Sequence, residues 1–147
     1  MSPKNAQALL LDDPKIPVRL KLSALWASLL FLYLYVDYFH LYMPGQVADL
    51  QKGKVFDFQI SQTFLLLALS SMTLPALMIY LCLVLPAKRT RQTNLLFGLL
   101  YIPYTLFNLA GEAWMHMVFG AAVEVMLLCF IVYYACTWPA SQPKKPE

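Results

Sequence analysis

The chain has 147 residues, of which 60% are hydrophobic and 13% are charged. A soluble domain of this length could not bury so much apolar side-chain area, so the composition argues against an ordinary soluble globular protein. The formal net charge of +3 comes from basic residues that flank apolar runs and do not cluster on one domain. This distribution favours contact with anionic lipid head groups over nucleic-acid binding.

Four long apolar runs predict four membrane-spanning helices, at residues 18–43, 62–85, 93–113 and 117–138. Each run reaches about 20 residues or more, which is enough to cross a hydrocarbon core of roughly 30 Å. Because the connections between the second, third and fourth spans are short, successive helices are expected to be antiparallel neighbours. The predicted fold class is therefore an all-α membrane protein, an antiparallel four-helix transmembrane bundle formed by residues 16–139.

The distribution of lysine and arginine predicts which side of the membrane each end occupies. Of the 11 basic residues, Lys52 and Lys54 lie between the first two spans. The others lie before or at the very start of the first span, between the second and third spans, or after the fourth. The positive-inside rule then places both termini in the cytoplasm. Residues 1–15 and 140–147 are expected to be poorly ordered cytoplasmic tails.

Two prolines lie near the middle of predicted spans, Pro75 in the second and Pro103 in the third. Each removes one intrahelical hydrogen bond and is expected to kink its helix. Paired interruptions of this kind either open a cavity near the membrane midplane or are tolerated kinks without a function. The connection 44–61 begins with Pro44-Gly45 and is expected to lie as a loop on the outer membrane surface.

Carboxylates inside uncharged membrane runs are the strongest functional signal in the chain. A charged side chain in a bilayer is costly unless it faces a protein interior, a partner or water. Asp37 lies seven residues before Pro44, and Glu124 lies eight residues after His116. At a rise of about 1.5 Å per residue, both carboxylates lie about 10–12 Å below the outer ends of their helices. This equal depth predicts that Asp37 and Glu124 belong to one site.

Other polar side chains recur at helical spacing and are predicted to share this site. The candidate ligand- or ion-binding residues are Tyr33, Asp37, His40, Ser70, Tyr104, Asn108, Glu112, His116 and Glu124. We expect them to line an outward-facing pocket that narrows inward above an apolar plug, which argues against a continuous pore. In such a pocket the carboxylates could share a proton, hold a cation or accept hydrogen bonds from a polar ligand.

Each of these residues also has a purely structural interpretation. Asp37 and Glu124 could bond hydroxyl groups of neighbouring helices and fix their packing. His40 and His116 could be interfacial, and Glu112 could face water. A metal site lacks tight ligand spacing. The chain also has no HExxH motif, phosphate-binding glycine loop or nucleophile elbow, so neither a catalytic residue nor a cofactor is predicted.

Several short motifs occur in a fixed order along the chain. They are KLSALW at 21–26, Asp37 followed by Pro44-Gly45, Leu74-Pro75, RQTN at 91–94, Glu124-Val125 and YYACTWP at 133–139. With this ordered set the chain resembles an uncharacterised group of bacterial four-helix membrane proteins, domain of unknown function family 6326. The resemblance implies a bacterial inner-membrane protein and no particular activity. The general shape is also similar to that of DoxX-like small membrane proteins, at the level of the fold alone.

Three functions are compatible with these residues. The leading hypothesis is a membrane protein that binds a small ligand, a cation or a proton in the outward-facing pocket, with a role related to transport. The second is a structural or accessory subunit of a larger membrane complex. The third is a small membrane enzyme acting on a lipid-like substrate. Besides the bilayer and a small ligand or ion, we expect a homo-oligomer or a membrane complex, because so small a bundle exposes much polar and small-residue surface.

Overall fold

The computed structural model describes residues 14–55, 58–109 and 114–139. Its elements, in chain order, are α1 (Val18–His40), α2 (Gln46–Gln51), β1 (Lys54–Val55), β2 (Phe58–Gln59), α3 (Gln62–Val84), α4 (Ala87–Phe107) and α5 (Met115–Cys136). The described part of the chain is mostly helical, which confirms the predicted all-α class at that level.

The ends of the long helices follow from the local sequence. α1 begins directly after Pro17 and α4 directly after Pro86, because the N–H that proline lacks has no helical partner at a helix start. Ser61 caps α3, where its hydroxyl accepts a hydrogen bond from the backbone N–H of Phe64 at 3.1 Å. After α1 the chain turns at Gly45, whose φ of 89° is left-handed and suits glycine.

The connection between α1 and α3 is more regular than the predicted loop. It contains α2 and a two-stranded antiparallel hairpin in which Lys54 pairs with Gln59 and Val55 with Phe58. The Phe58 ring stacks on Phe64 of α3 with a centroid distance of 6.2 Å, so the hairpin packs on the start of that helix. These elements are too short to give a periodic apolar pattern, which is why the sequence did not predict them.

The four long helices pack in the order α3, α1, α5, α4, and among helices that are neighbours around the bundle, α3 and α4 make the loosest pair. Two glycines allow close contact between neighbours. A Cβ atom on Gly120 of α5 would lie 2.6 Å from Cγ2 of Val36 on α1, and one on Gly98 of α4 would lie 2.9 Å from Cγ2 of Val132 on α5. The interior between these helices is filled by fully buried side chains that include Leu22, Trp26, Leu29, Met78, Leu128 and Ile131.

Three helices, α1, α3 and α5, are long and apolar enough to cross a membrane. Their outer faces carry exposed large apolar side chains such as Phe31, Leu66, Leu67 and Phe119. Contiguous exposed apolar surface of this kind is typical of a protein whose surroundings are apolar. The chain is therefore described best as a membrane protein.

The helix in place of the third predicted span differs from the prediction. It begins at Ala87, ends at Phe107, and opens with the eight residues AKRTRQTN, which include three basic side chains. Because α4 begins directly after Pro86, the basic residues that were expected to lie between the two spans lie in the first two turns of α4 instead. The apolar part of α4 is consequently shorter than those of the other long helices.

Candidate functional site

A cavity of about 350 Å³ lies between the long helices, beside α2 and the hairpin. We call this side of the bundle the cavity end. The cavity is lined from α1, α3, α4 and α5, and α2 and β1 contribute Gln46, Leu50 and Val55. The relatively wide separation of α3 and α4 leaves room for it.

Six of the nine candidate residues line this cavity: Tyr33, Asp37, His40, Tyr104, Asn108 and Glu124. They come from α1, from α5 and from the end of α4, with Asn108 directly after that helix. Asp37 and Glu124, which the depth argument predicted to share one site, therefore line the same space. A further candidate, Glu112, lies outside the described residues.

Two further candidates, Ser70 and His116, do not line this cavity. Ser70 is exposed, and its hydroxyl donates to the carbonyl of Leu66 at 2.7 Å. Its neighbour Ser71 lines the cavity instead, because one residue turns a helix by about 100°. His116 contributes to a separate surface depression, where its ring lies 6.3 Å from that of Trp114.

Glu124 is the most unusual polar group in the lining. Its side chain is only 4% exposed, and Oε1 has no hydrogen-bond partner within the described ranges. The carboxylate interacts with the Thr105 side chain and, electrostatically, with Asp37. Buried polar atoms in proteins are nearly always hydrogen-bonded, and an unpaired one is costly. An oxygen of this kind beside a cavity indicates a place where an occupant is expected to donate a hydrogen bond.

Asp37 differs from Glu124 in its accessibility. It is exposed, and it lines the cavity near His40, which lies one helical turn further along α1. The pair of carboxylates therefore contains one accessible group and one group that is buried in the wall of the cavity.

A network of tyrosine and hydroxyl groups forms another part of the cavity wall. The hydroxyl groups of Tyr33 and Thr105 are hydrogen-bonded at 2.8 Å, and both residues are buried. The Tyr33 ring lies nearly perpendicular to that of Tyr104, with centroids 6.3 Å apart. Sequence reasoning missed Thr105, although it lies four residues after Tyr101 and three before Asn108, on the polar stripe of α4.

On the α3 side of the cavity, Pro75 interrupts the hydrogen bonding of the helix backbone. Proline has no N–H, so the carbonyl of Ser71, four residues earlier, loses its helical donor. In this structure the Tyr101 hydroxyl of α4 donates to that carbonyl. The Ser71 side chain also lies 3.2 Å from the hydroxyl of Tyr104. Two hydrogen-bond contacts of Ser71 therefore connect α3 to α4 one helical turn before the proline.

Towards the end of the bundle opposite the cavity, the interior is filled by packed side chains. The predicted apolar plug is present, but it contains one fully buried amide. The Trp26 indole N–H donates to Oδ1 of Asn94 at 2.7 Å, and Nδ2 of Asn94 donates to the carbonyl of Thr90 at 2.7 Å. The position of Asn94 in a basic, polar segment gave no signal that it would be buried.

The lining combines hydrogen-bond acceptors with neutral polar and aromatic groups. Two carboxylates lie beside neutral hydroxyl, amide and aromatic groups, and in the described part of the chain no three His, Cys, Asp or Glu side chains are grouped to hold a metal ion. Ionised carboxylates accept hydrogen bonds and attract positive charge. The cavity can therefore hold a proton, a cation or a ligand with N–H or O–H donors.

Comparisons with known proteins agree with the ordered motifs. A family model described as a family of unknown function (DUF6326) matches residues 16–144. No curated protein and no solved structure matches the chain. The fold-level similarity to DoxX-like proteins stays a prediction.

Proposed function

We propose that this chain, which belongs to the family of unknown function DUF6326, binds a small ligand, a cation or a proton in an outward-facing cavity, with a role related to transport. The single observation that carries the proposal is the carboxylate of Glu124. It is buried beside the cavity, and its Oε1 has no hydrogen-bond partner within the described residues. Its interaction with Asp37 adds a second negative group at the same space.

The same oxygen favours binding over an accessory-subunit role. A polar cluster that served only to hold helices together would be expected to satisfy its buried groups internally. Tyr33 and Thr105 follow that pattern, since their hydroxyl groups bond each other. Glu124 departs from it, which supports an exchangeable occupant.

We also propose that α4 crosses the bilayer of a bacterial inner membrane and that both termini are cytoplasmic. Support comes from the end of the bundle opposite the cavity. There Arg19 donates to the carbonyls of Leu83 and Leu85 at 3.0 and 2.6 Å, so the start of α1 lies beside the end of α3. The basic residues at the start of α4 come directly after α3 in the chain and therefore lie at the same end of the bundle. Most of the positive charge of the described residues is thus at this end, as expected for a cytoplasmic face.

Cysteine labelling tests the topology. In a background with Cys82, Cys129 and Cys136 replaced by serine, Lys52→Cys is expected to react with a membrane-impermeant maleimide on intact cells. Lys145→Cys is expected to react only after permeabilisation. Labelling of Lys145→Cys on intact cells, together with Lys52→Cys, would show that α4 does not cross the membrane.

Thermal unfolding of the detergent-solubilised protein tests binding. The probes are sodium chloride, calcium chloride, 2-phenylethylammonium chloride and protons supplied by acidifying the buffer. At least one is expected to shift the unfolding midpoint of the wild type and to lose this effect in the double variant Asp37→Asn, Glu124→Gln. Asp49→Asn is the matched control, because Asp49 is exposed and paired with Lys52 at 3.2 Å. A double variant that responds to every probe as the wild type does would contradict the proposal.

A further inference from the structure

We infer that the cavity is built for an organic cation with an apolar, ring-sized body, in preference to a bare metal ion or an anion. This inference rests on the proposed function and narrows it to one class of ligand. Three properties of the lining lead to it, namely its charge, its size and the chemistry of its walls.

The charge of the lining selects a positive ligand. Asp37 and Glu124 are the acids of the cavity, and its lining contains no Lys or Arg within the described residues. Two basic side chains near the ends of the bundle interact elsewhere: Arg19 with backbone carbonyls and Lys52 with Asp49. His40 is the one histidine that the described residues contribute to the lining, and it lies one helical turn from Asp37 on α1. An anion would therefore meet two carboxylates at close range, which is unfavourable in a poorly solvated site.

The size of the cavity exceeds what an inorganic ion would fill. A water molecule occupies about 30 Å³ of liquid, so the 350 Å³ space is on the order of ten times larger. Pockets for small organic ligands start at roughly 300 Å³. A bare ion would leave most of the space to water, whereas a small organic molecule would fill it.

The walls offer few ligands for a metal ion and much surface for a hydrocarbon. Phe64 and Met72 on α3 and Ala121 on α5 contribute apolar surface, while Tyr33 and Tyr104 contribute rings. Calcium requires about six to eight oxygen ligands, yet the hydroxyl groups of Tyr33 and Thr105 are already bonded to each other. Aromatic rings attract organic cations at distances up to about 6 Å.

The accessibility of the two acids gives the ligand a direction. An ammonium group can donate a hydrogen bond to Oε1 of Glu124, the buried oxygen that has no partner within the described ranges. Asp37, which is exposed and lines the same cavity, supplies the second negative charge. The body of the ligand would then lie against the rings and the apolar side chains of α3.

Three molecules of one shape and different charge test this inference. They are 2-phenylethylammonium, the neutral 2-phenylethanol and the anionic 3-phenylpropionate, each titrated while the unfolding midpoint of the detergent-solubilised full chain is recorded. We expect saturable stabilisation by the cation alone. Its apparent affinity should fall at least about tenfold in Asp37→Asn, a change at an exposed position that is expected to keep the fold, because the variant lacks the second negative charge that attracts the ammonium group in a poorly solvated site. Asp49→Asn should bind as the wild type does.

The outcomes separate this inference from the proposed function. Equal stabilisation by the cation and the neutral alcohol, or equal loss in Asp49→Asn, would overturn the selection for positive charge. If sodium, calcium or protons shift the wild type but not the double variant, and 2-phenylethylammonium has no effect, the inference fails while the proposed function stands. If the double variant matches the wild type with every probe, both fail.

Discussion

The hydroxyl group of Tyr101 on α4 donates to the backbone carbonyl of Ser71 on α3, the carbonyl that Pro75 deprives of a helical donor. This bond joins the most loosely packed pair of neighbouring long helices, and Ser71 lines the cavity there. In an isolated helix Pro75 would leave this carbonyl without a donor, whereas here a side chain of α4 supplies one.

Replacing Tyr101 with phenylalanine tests this relationship. The variant keeps the ring, which packs on Trp26 at a centroid distance of 6.1 Å, and removes the donor to Ser71. We expect the free energy of unfolding to fall by about 1–3 kcal/mol, the cost of leaving a poorly solvated carbonyl unsatisfied. Chemical unfolding in a mixed detergent measures it.

Two further variants make the test specific. Tyr80→Phe removes the hydroxyl of an exposed tyrosine on α3 and should leave stability unchanged. Pro75→Ala restores an N–H to the helix and should make the Tyr101→Phe change nearly neutral. If Tyr101→Phe costs the same with and without Pro75, the bond does not compensate the proline.

Asn94 is expected to stabilise the half of the bundle that lies opposite the cavity. In Asn94→Leu the indole N–H of Trp26 loses its acceptor in a fully buried site. The expected destabilisation is about 1–3 kcal/mol, and the same change should cost less in a Trp26→Phe background, where the orphaned donor is absent. Gln92→Leu, at an exposed position two residues away, is the control. A double variant no more stable than the additive sum would contradict the pairing.

How far the sequence predicts the site depends on whether a helix has a distinguishable face. On α1 and α5 an isolated carboxylate marks the inner side, so helix rise alone predicted that Asp37 and Glu124 share a depth. α3 is apolar nearly all round, so nothing in its pattern separates Ser70 from Ser71. The bond from Trp26 to Asn94 was equally hidden, because burial of an amide depends on tertiary contacts that a polar segment does not reveal.

The close contact of α1 and α5 at Gly120 predicts a strong effect of a single methyl group. In Gly120→Ala the new Cβ would lie 2.6 Å from Cγ2 of Val36, so the helices must separate next to Asp37 and Glu124. We expect a loss of about 1–3 kcal/mol, typical of overpacking, measured by the same unfolding assay. Val36→Ala should restore most of the stability in the double variant. Failure of that rescue would show that the contact with Val36 is not the cause.

Glu124→Gln should separate stability from binding at the proposed site. The substitution keeps the shape of the side chain and removes a charge that is costly to bury without a partner. In the absence of added ligand we expect the unfolding midpoint to equal or exceed that of the wild type, a pattern common where a functional group is held at the expense of stability. The stabilisation by 2-phenylethylammonium should be lost in the same protein. A variant that unfolds earlier than the wild type without ligand would instead show that Glu124 holds the helices together, and the carboxylate would then belong to the packing of the bundle.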